Sequence, residues 1–75
     1  MWKEENNQLV RRYEFGNFIE AFSFMTKVAM LAEKQNHHPE WTNVFNRLEI
    51  RLSSHDAGDV ITDKDRRLAD AIDKL

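Results

Sequence analysis

The period of the hydrophobic pattern changes twice along this chain, and those changes restrict its fold more than any other feature. Leu9, Arg11, Tyr13 and Phe15 alternate with Val10, Arg12 and Glu14, the period-two signature of a strand. From Phe18 to Gln35 the period lengthens. Phe18, Phe22, Met25, Ala29 and Ala32 recur at three- and four-residue spacing, with Phe24, Val28 and Leu31 as a second stripe beside them. Period two returns at Leu48, Ile50 and Leu52, which face away from Glu49, Arg51 and Ser53. A short chain carrying both periods must lay helices on a sheet.

Punctuation between these runs sets the element order. The short run "WKEE" precedes the first long strand, and Asn6-Asn7 between them accepts the left-handed angles of a tight hairpin turn. Gly16-Asn17 ends the strand, and Asn17 is placed to cap the helix that follows. That helix must stop near Asn36-His37, because Pro39 disfavours helical geometry at His38 and cannot donate a backbone hydrogen bond. "TNVFN" and "RLEIRLSS" follow, with a turn or bulge at Asn46-Arg47, and "SSHDAGD" reads as a polar loop. Thr62-x-x-Asp65 resembles a capping box, with Asp where Glu or Gln is preferred. Leu68, Ala69, Ile72 and Leu75 share one face of a closing helix. The expected fold is α+β in the order β-β-α-β-β-α: a four-stranded antiparallel sheet covered on one face by two helices, in one domain spanning 1–75. The aromatic and Met stripe of the first helix is expected in the core, and an open sheet edge is expected near Leu48 to Ser53.

Size and charge narrow the function classes. With 75 residues the chain buries only about 60–65% of its unfolded surface, so a thin core and a homodimer or homotetramer are expected. The net charge of −2, with acidic and basic residues mixed throughout, is not the footprint of a nucleic-acid binder. No apolar run approaches the ~18–20 residues that span a bilayer, and the amino terminus lacks a signal-peptide pattern. Together with the absence of cysteine, this makes the cytoplasm the expected compartment.

The chemistry-bearing residues gather where elements end. His37 and His38 sit at a helix exit and His55 at a strand exit, in loops fixed on rigid elements. Adjacent histidines cannot face the same way on any regular element, so they are not both core filler. Glu33 lies one helical turn before His37, where its carboxylate can hold the imidazole tautomer. Trp2 and Trp41 offer flat walls for an aromatic ligand. Spacing alone fits a capped helix end with solvated rings as well as it fits a site, and for His55 it favours a plain loop. Two adjacent histidines and a distant third do not match a tetrahedral zinc pattern. No Ser or Thr sits in a recognisable nucleophile-activating motif.

The segment "FMTKVAMLAEKQNHHPEWTNVFNRLEIRLSSHDAG" resembles the pterin-4a-carbinolamine dehydratase family. That family's signature is an acidic residue, three positions, His-His-Pro, an aromatic, a further His, and then Asp. Here those elements are Glu33, His37-His38-Pro39, Phe45, His55 and Asp65. The flanking "HPEWTNV" and "RLADAID" extend the likeness from Trp2 to Ile72. The pattern is departed from in two places. The family carries another helix before the tryptophan that Trp2 resembles, and a chain beginning at Met1 is expected to lack it. After the third histidine the family has "AGGLT", whereas this chain has "AGDVIT", with Asp59 in place of a glycine and one extra residue.

The resemblance implies an activity and a set of roles. The family dehydrates 4a-hydroxy-tetrahydropterin, the product left by aromatic amino-acid hydroxylases, to quinonoid dihydropterin, which recycles the pterin. Imidazoles titrating near ~6.5 suit that chemistry at neutral pH. By resemblance His37 is the principal general acid, His55 a second acid/base on the other side of the pterin, and His38 a binding and orienting group. Glu33 would orient His37, while Pro39, Trp41, Trp2 and Asp65 would shape or orient the pocket, with no metal and no organic cofactor. Two alternatives stay open. The same fold can serve as an interaction module for a hydroxylase or a transcription factor, as in a eukaryotic branch of the family, or the enzyme can act on another pterin. The three histidines favour the enzyme, because an adaptor has no reason to keep them all.

Overall fold

The computed structural model describes all residues from Met1 to Leu75. Its elements are β1 (Lys3–Glu5), β2 (Gln8–Glu14), α1 (Phe18–Gln35), β3 (Glu40–Val44), β4 (Arg47–Leu52), a single 3₁₀ turn (His55–Ala57) and α2 (Asp63–Asp73). This is the α+β, β-β-α-β-β-α order read from the sequence. Asn6 and Asn7 take left-handed angles (φ 51° and 64°), the backbone of a two-residue hairpin joining β1 to β2. Asn17 accepts a hydrogen bond from the Glu20 N–H at 2.9 Å, which caps α1. The second hairpin turns at Phe45-Asn46, one residue earlier than the sequence suggests. Phe45 takes the left-handed conformation (φ 54°), and the Asn43 side chain clasps the turn by donating to the Phe45 and Arg47 carbonyls.

The strands are wholly antiparallel in the order β1-β2-β4-β3. This corrects the expected open edge at Leu48 to Ser53: β4 is an interior strand, and the edges are β1 and β3. The long-range pairing of β2 with β4 puts β4 between β2 and β3, so the inward-pointing Leu48, Ile50 and Leu52 are fully covered and sit opposite Tyr13, Arg11 and Leu9 of β2 in register.

Both helices cover that face. Leu9, Leu48, Ile50 and Leu52 of the sheet form one cluster with Val28 and Ala32 of α1 and Leu68, Ala69 and Ile72 of α2. Truncating one of the cluster's leucines or isoleucines to Ala costs about 2–5 kcal/mol, a large share of what a chain this small can gain by folding. The core face of α1 is Ala21, Val28 and Ala32, whose small side chains let the helix lie close to the sheet. Phe24, Met25 and Leu31 flank this line. Phe18 and Phe22 do not join it: they are 47% and 57% exposed and lie against each other with ring centroids 6.0 Å apart. Ala29 is exposed as well. The apolar arc of α1 is wider than a sheet this narrow can cover, so part of the expected core stripe faces out.

Candidate active site

The site forms where three elements end together: the exit of α1, the exit of β4 and the start of α2. Asn36 closes α1 in the left-handed conformation (φ 51°), its N–H directed at the Ala32 and Glu33 carbonyls. The His37 N–H also returns to the Ala32 carbonyl, at 3.0 Å. Pro39 forbids a further helical turn, so the two histidines part. The His37 side chain turns inward and is 11% exposed, whereas that of His38 is 59% exposed.

His37 is held from behind. Its Nε2 lies 2.5 Å from Oδ1 of Asp65, which is fully buried at the first turn of α2. The other Asp65 oxygen accepts from the Thr62 N–H at 2.9 Å and from the Ser54 hydroxyl at 2.9 Å. Ser54 Oγ is 2.6 Å from Thr62 Oγ1. Since Ser54 spends its one proton on Asp65, Thr62 supplies the proton between the two hydroxyls. Thr62 Oγ1 also accepts the Lys64 N–H at 3.3 Å. The chain of donors runs Thr62 to Ser54 to Asp65, and the ionised carboxylate takes its third bond from His37. An acceptor-only group at Nε2 requires the proton there, which leaves Nδ1 as the free nitrogen of the His37 ring.

The role expected of Glu33 belongs to Asp65. Glu33 Oε1 bonds Nε2 of His38 at 2.8 Å and does not reach His37. The cause is the left-handed turn at Asn36, which swings His37 off the helical path that would have set it over Glu33. His55 begins the 3₁₀ turn within the stretch expected to be plain loop, and its Nδ1 lies 2.6 Å from Asp59 Oδ1. Each of the three histidines therefore has its own carboxylate.

His37, His38 and His55 line one pocket of about 320 Å³, with Ser53, Asp56 and Lys64. Lys64 donates to Asp56 at 3.0 Å, and this bond holds the Asp56 carboxyl below the usual carboxylate range, with the Lys64 and His37 charges acting in the same direction. A larger hollow of about 460 Å³ lies on the outer face of the sheet, between Arg12, Glu14, Thr42 and Arg47. It holds no histidine, and Arg12 is already engaged by Glu5 and Glu49, so the smaller pocket is the candidate site.

Of the residues expected to shape the pocket, and of the signature aromatic Phe45, several do not line it. Trp2 packs on the core and donates its indole N–H to Asp73 at 2.9 Å, beside the later turns of α2. Trp41 faces inward opposite Ile50 and packs on the same core. Neither indole lines the histidine pocket. Phe45 is exposed at the tip of the β3–β4 turn, at the other end of β4. Pro39 lies half-buried at the helix exit and acts through the backbone it breaks. Conversely, buried Ser54, absent from the sequence expectations, bonds Asp65 behind His37. Continuing the inward alternation 48, 50, 52 by two residues reaches it, and a serine on a buried position was the available signal.

The sequence model of the pterin 4 alpha carbinolamine dehydratase family matches residues 1–75. The chain belongs to that family. It is 54% identical over 74 residues to a Prochlorococcus marinus protein named "Putative pterin-4-alpha-carbinolamine dehydratase", covering 99% of this chain and 76% of the relative. A protein of the same name from Solibacter usitatus is 55% identical, with 99% and 77% covered. The crystal structure of a transcriptional coactivator/pterin dehydratase from Brucella melitensis superposes with a TM-score of 0.91 at 33% identity, covering 97% of this chain and 79% of that one. A pterin dehydratase-like protein identified as a RuBisCO assembly factor in the alpha-carboxysome shares the fold, with a TM-score of 0.80 at 24% identity and 97% and 86% covered.

Proposed function

We propose that this member of the pterin dehydratase family removes water from 4a-hydroxy-tetrahydropterin by histidine acid–base catalysis, recycling the pterin used by aromatic amino-acid hydroxylases. The observation that carries the reading is the convergence of His37, His38 and His55 on one pocket, each with a carboxylate partner.

The reaction breaks the C4a–O bond and the N–H bond of the neighbouring ring nitrogen. Hydroxide is a poor leaving group, so a protonated imidazole donates to the 4a oxygen as it departs, and water forms. A second imidazole takes the ring-nitrogen proton, and the electrons of that N–H bond close the new C=N bond of the quinonoid product. One proton is given and one received, so exchange with solvent restores both rings. His37 is the acid, oriented by Asp65; His55 is the second acid/base; His38, tied to Glu33 and open to solvent, binds and orients the pterin. Positioned acid–base groups supply about 10²–10⁴-fold in rate.

The reading needs no metal, and no three His, Asp or Glu side chains are placed together as ligands. No helix is long and apolar enough to cross a membrane, and a cysteine-free chain suits the reducing cytoplasm where we place it. A second reading, an interaction module, draws support from the exposed apolar residues of α1. Stopped-flow dehydration of 4a-hydroxy-tetrahydropterin decides between them. Acceleration over the uncatalysed rate that survives extensive chelation is expected. No acceleration removes the enzyme reading, and EDTA loss restored by zinc removes the metal-free mechanism.

A further inference from the structure

One carboxylate at the pocket has no role assigned to it in the chemistry above. Asp59 Oδ1 lies 2.6 Å from His55 Nδ1, yet His55 lines the pocket and Asp59 does not. The carboxylate therefore meets the ring on the side away from any substrate. An ionised carboxylate only accepts, so the proton of this bond belongs to Nδ1. The neutral ring then carries its lone pair at Nε2, the nitrogen without a protein partner.

Asp59 occupies a backbone position that suits glycine better. It sits at φ 60°, directly after Gly58 at φ 87°, in the left-handed region that residues with a Cβ disfavour and that Asp and Asn tolerate best. The loop around it is fixed: the Asp59 N–H donates to the Ser54 carbonyl at 3.0 Å, and Ser54 bridges Val60. An acidic residue thus stands at a strained position, in the stretch where the sequence departs from the family pattern, with its side chain on the one histidine the loop presents.

We propose that Asp59 is a positioning residue, whose carboxylate fixes His55 as the Nδ1–H tautomer so that Nε2 exchanges the proton with substrate. This deepens, and rests on, the dehydratase reading of the pocket. Asp65 acts on His37 through the opposite nitrogen, so the two rings present different atoms: Nδ1 of His37 and Nε2 of His55. The two carboxylates differ in grip. Asp65 is buried and closed by three donors, whereas the His55 and Asp59 side chains are 81% and 71% exposed. Asp59 therefore biases the tautomer ratio rather than locking it.

The test is ¹⁵N NMR of the imidazoles in the full chain at about pH 8, where ordinary histidines are neutral, with Asp59→Asn and Asp59→Gly alongside. Gly removes the carboxylate and relieves the left-handed backbone, so folding is retained. Asn keeps the shape, but its amide can either donate to Nδ1 or accept from it. The parent should show His55 as Nδ1–H. Both variants should lower the Nδ1–H to Nε2–H ratio by about two- to fivefold, the effect open to a solvent-exposed hydrogen bond, and lower kcat similarly with KM unchanged. An Nε2–H tautomer in the parent, or an unmoved ratio in both variants, overturns the proposal. The spectrum does not depend on turnover. If the ratio shifts as expected while the parent fails to dehydrate the pterin, the dehydratase reading falls and Asp59 still sets the tautomer.

Discussion

His37 and His38 adjoin in the chain but meet different surroundings, and their substitutions should separate accordingly. His37 is nearly buried against Asp65, while His38 is mostly solvated beside Glu33. His37→Ala is expected to lower kcat by about 10²–10⁴-fold with little change in KM, and His38→Ala mainly to raise KM. His55→Ala should lower kcat only partly, because His37 still serves one face of the ring. Steady-state rates on variants with matched circular dichroism check this; near-full kcat in His37→Ala with none in His55→Ala would reverse the two roles. Tyr13 offers an independent test of packing. Its hydroxyl is buried without a hydrogen-bond partner, and burial pushes its pKa to about 12 against the opposing pull of Arg11. Tyr13→Phe removes an unpaired polar group while keeping the ring against Phe24, at a centroid distance of 4.8 Å. A gain of about 1 kcal/mol in urea unfolding is expected. At this scale residue types were legible and partners were not. Helical spacing points Glu33 at His37, but one left-handed residue, Asn36, redirects the pairing, and sequence spacing does not show that turn.

The elements were legible because local signals agree with the tertiary fold. Asn6-Asn7, Asn17, Pro39 and the Thr62–Asp65 box each mark a boundary by their own backbone chemistry, and α1 spans the Phe18 to Gln35 read from its period. The place of β4 within the sheet was not legible, since periodicity gives the face a strand buries and not its neighbours. Two predictions belong here. Thr62→Ala removes the helix cap and the hydroxyl that bonds Ser54, so it should cost about 0.5–2 kcal/mol and lower kcat through Asp65. The outer face of the sheet sets a pH dependence. Arg12 bonds Glu5 of β1 and Glu49 of β4, and Arg51 also bonds Glu49. Hydrogen bonds from these arginines hold both carboxyls below their usual value of 4.5. A carboxyl depressed in the folded state adds stability above its unfolded pKa and loses it as pH falls through the folded value. Urea midpoints should therefore hold steady down to about pH 4.5 and decline below it. Arg12→Ala should flatten that decline; an unchanged profile would take these pairs out of the acid response.

The whole molecule leaves apolar surface that its own small sheet cannot cover. Phe18, Ile19, Phe22 and Met30 of α1 are 47%, 75%, 57% and 69% exposed, a concentration unusual for a lone 8.9 kDa chain. The sheet edge at β3 is open too, ending at exposed Val44 and Phe45. Both features fit a second copy of the chain better than solvent, because the core alone is thin for independent stability. Light scattering at micromolar concentration should return a small multiple of 8.9 kDa. Phe22→Glu places a charge in the helix face and should shift the population toward monomer. The histidines, Asp65, Ser54 and Asp59 all belong to one chain, so kcat per chain should survive that shift so long as the monomer stays folded. A parent that scatters only as the single chain rules out association. An oligomer indifferent to Phe22→Glu places the contact at the β3 edge instead, where main-chain hydrogen bonding would join two sheets and the helix face would stay free for a different protein.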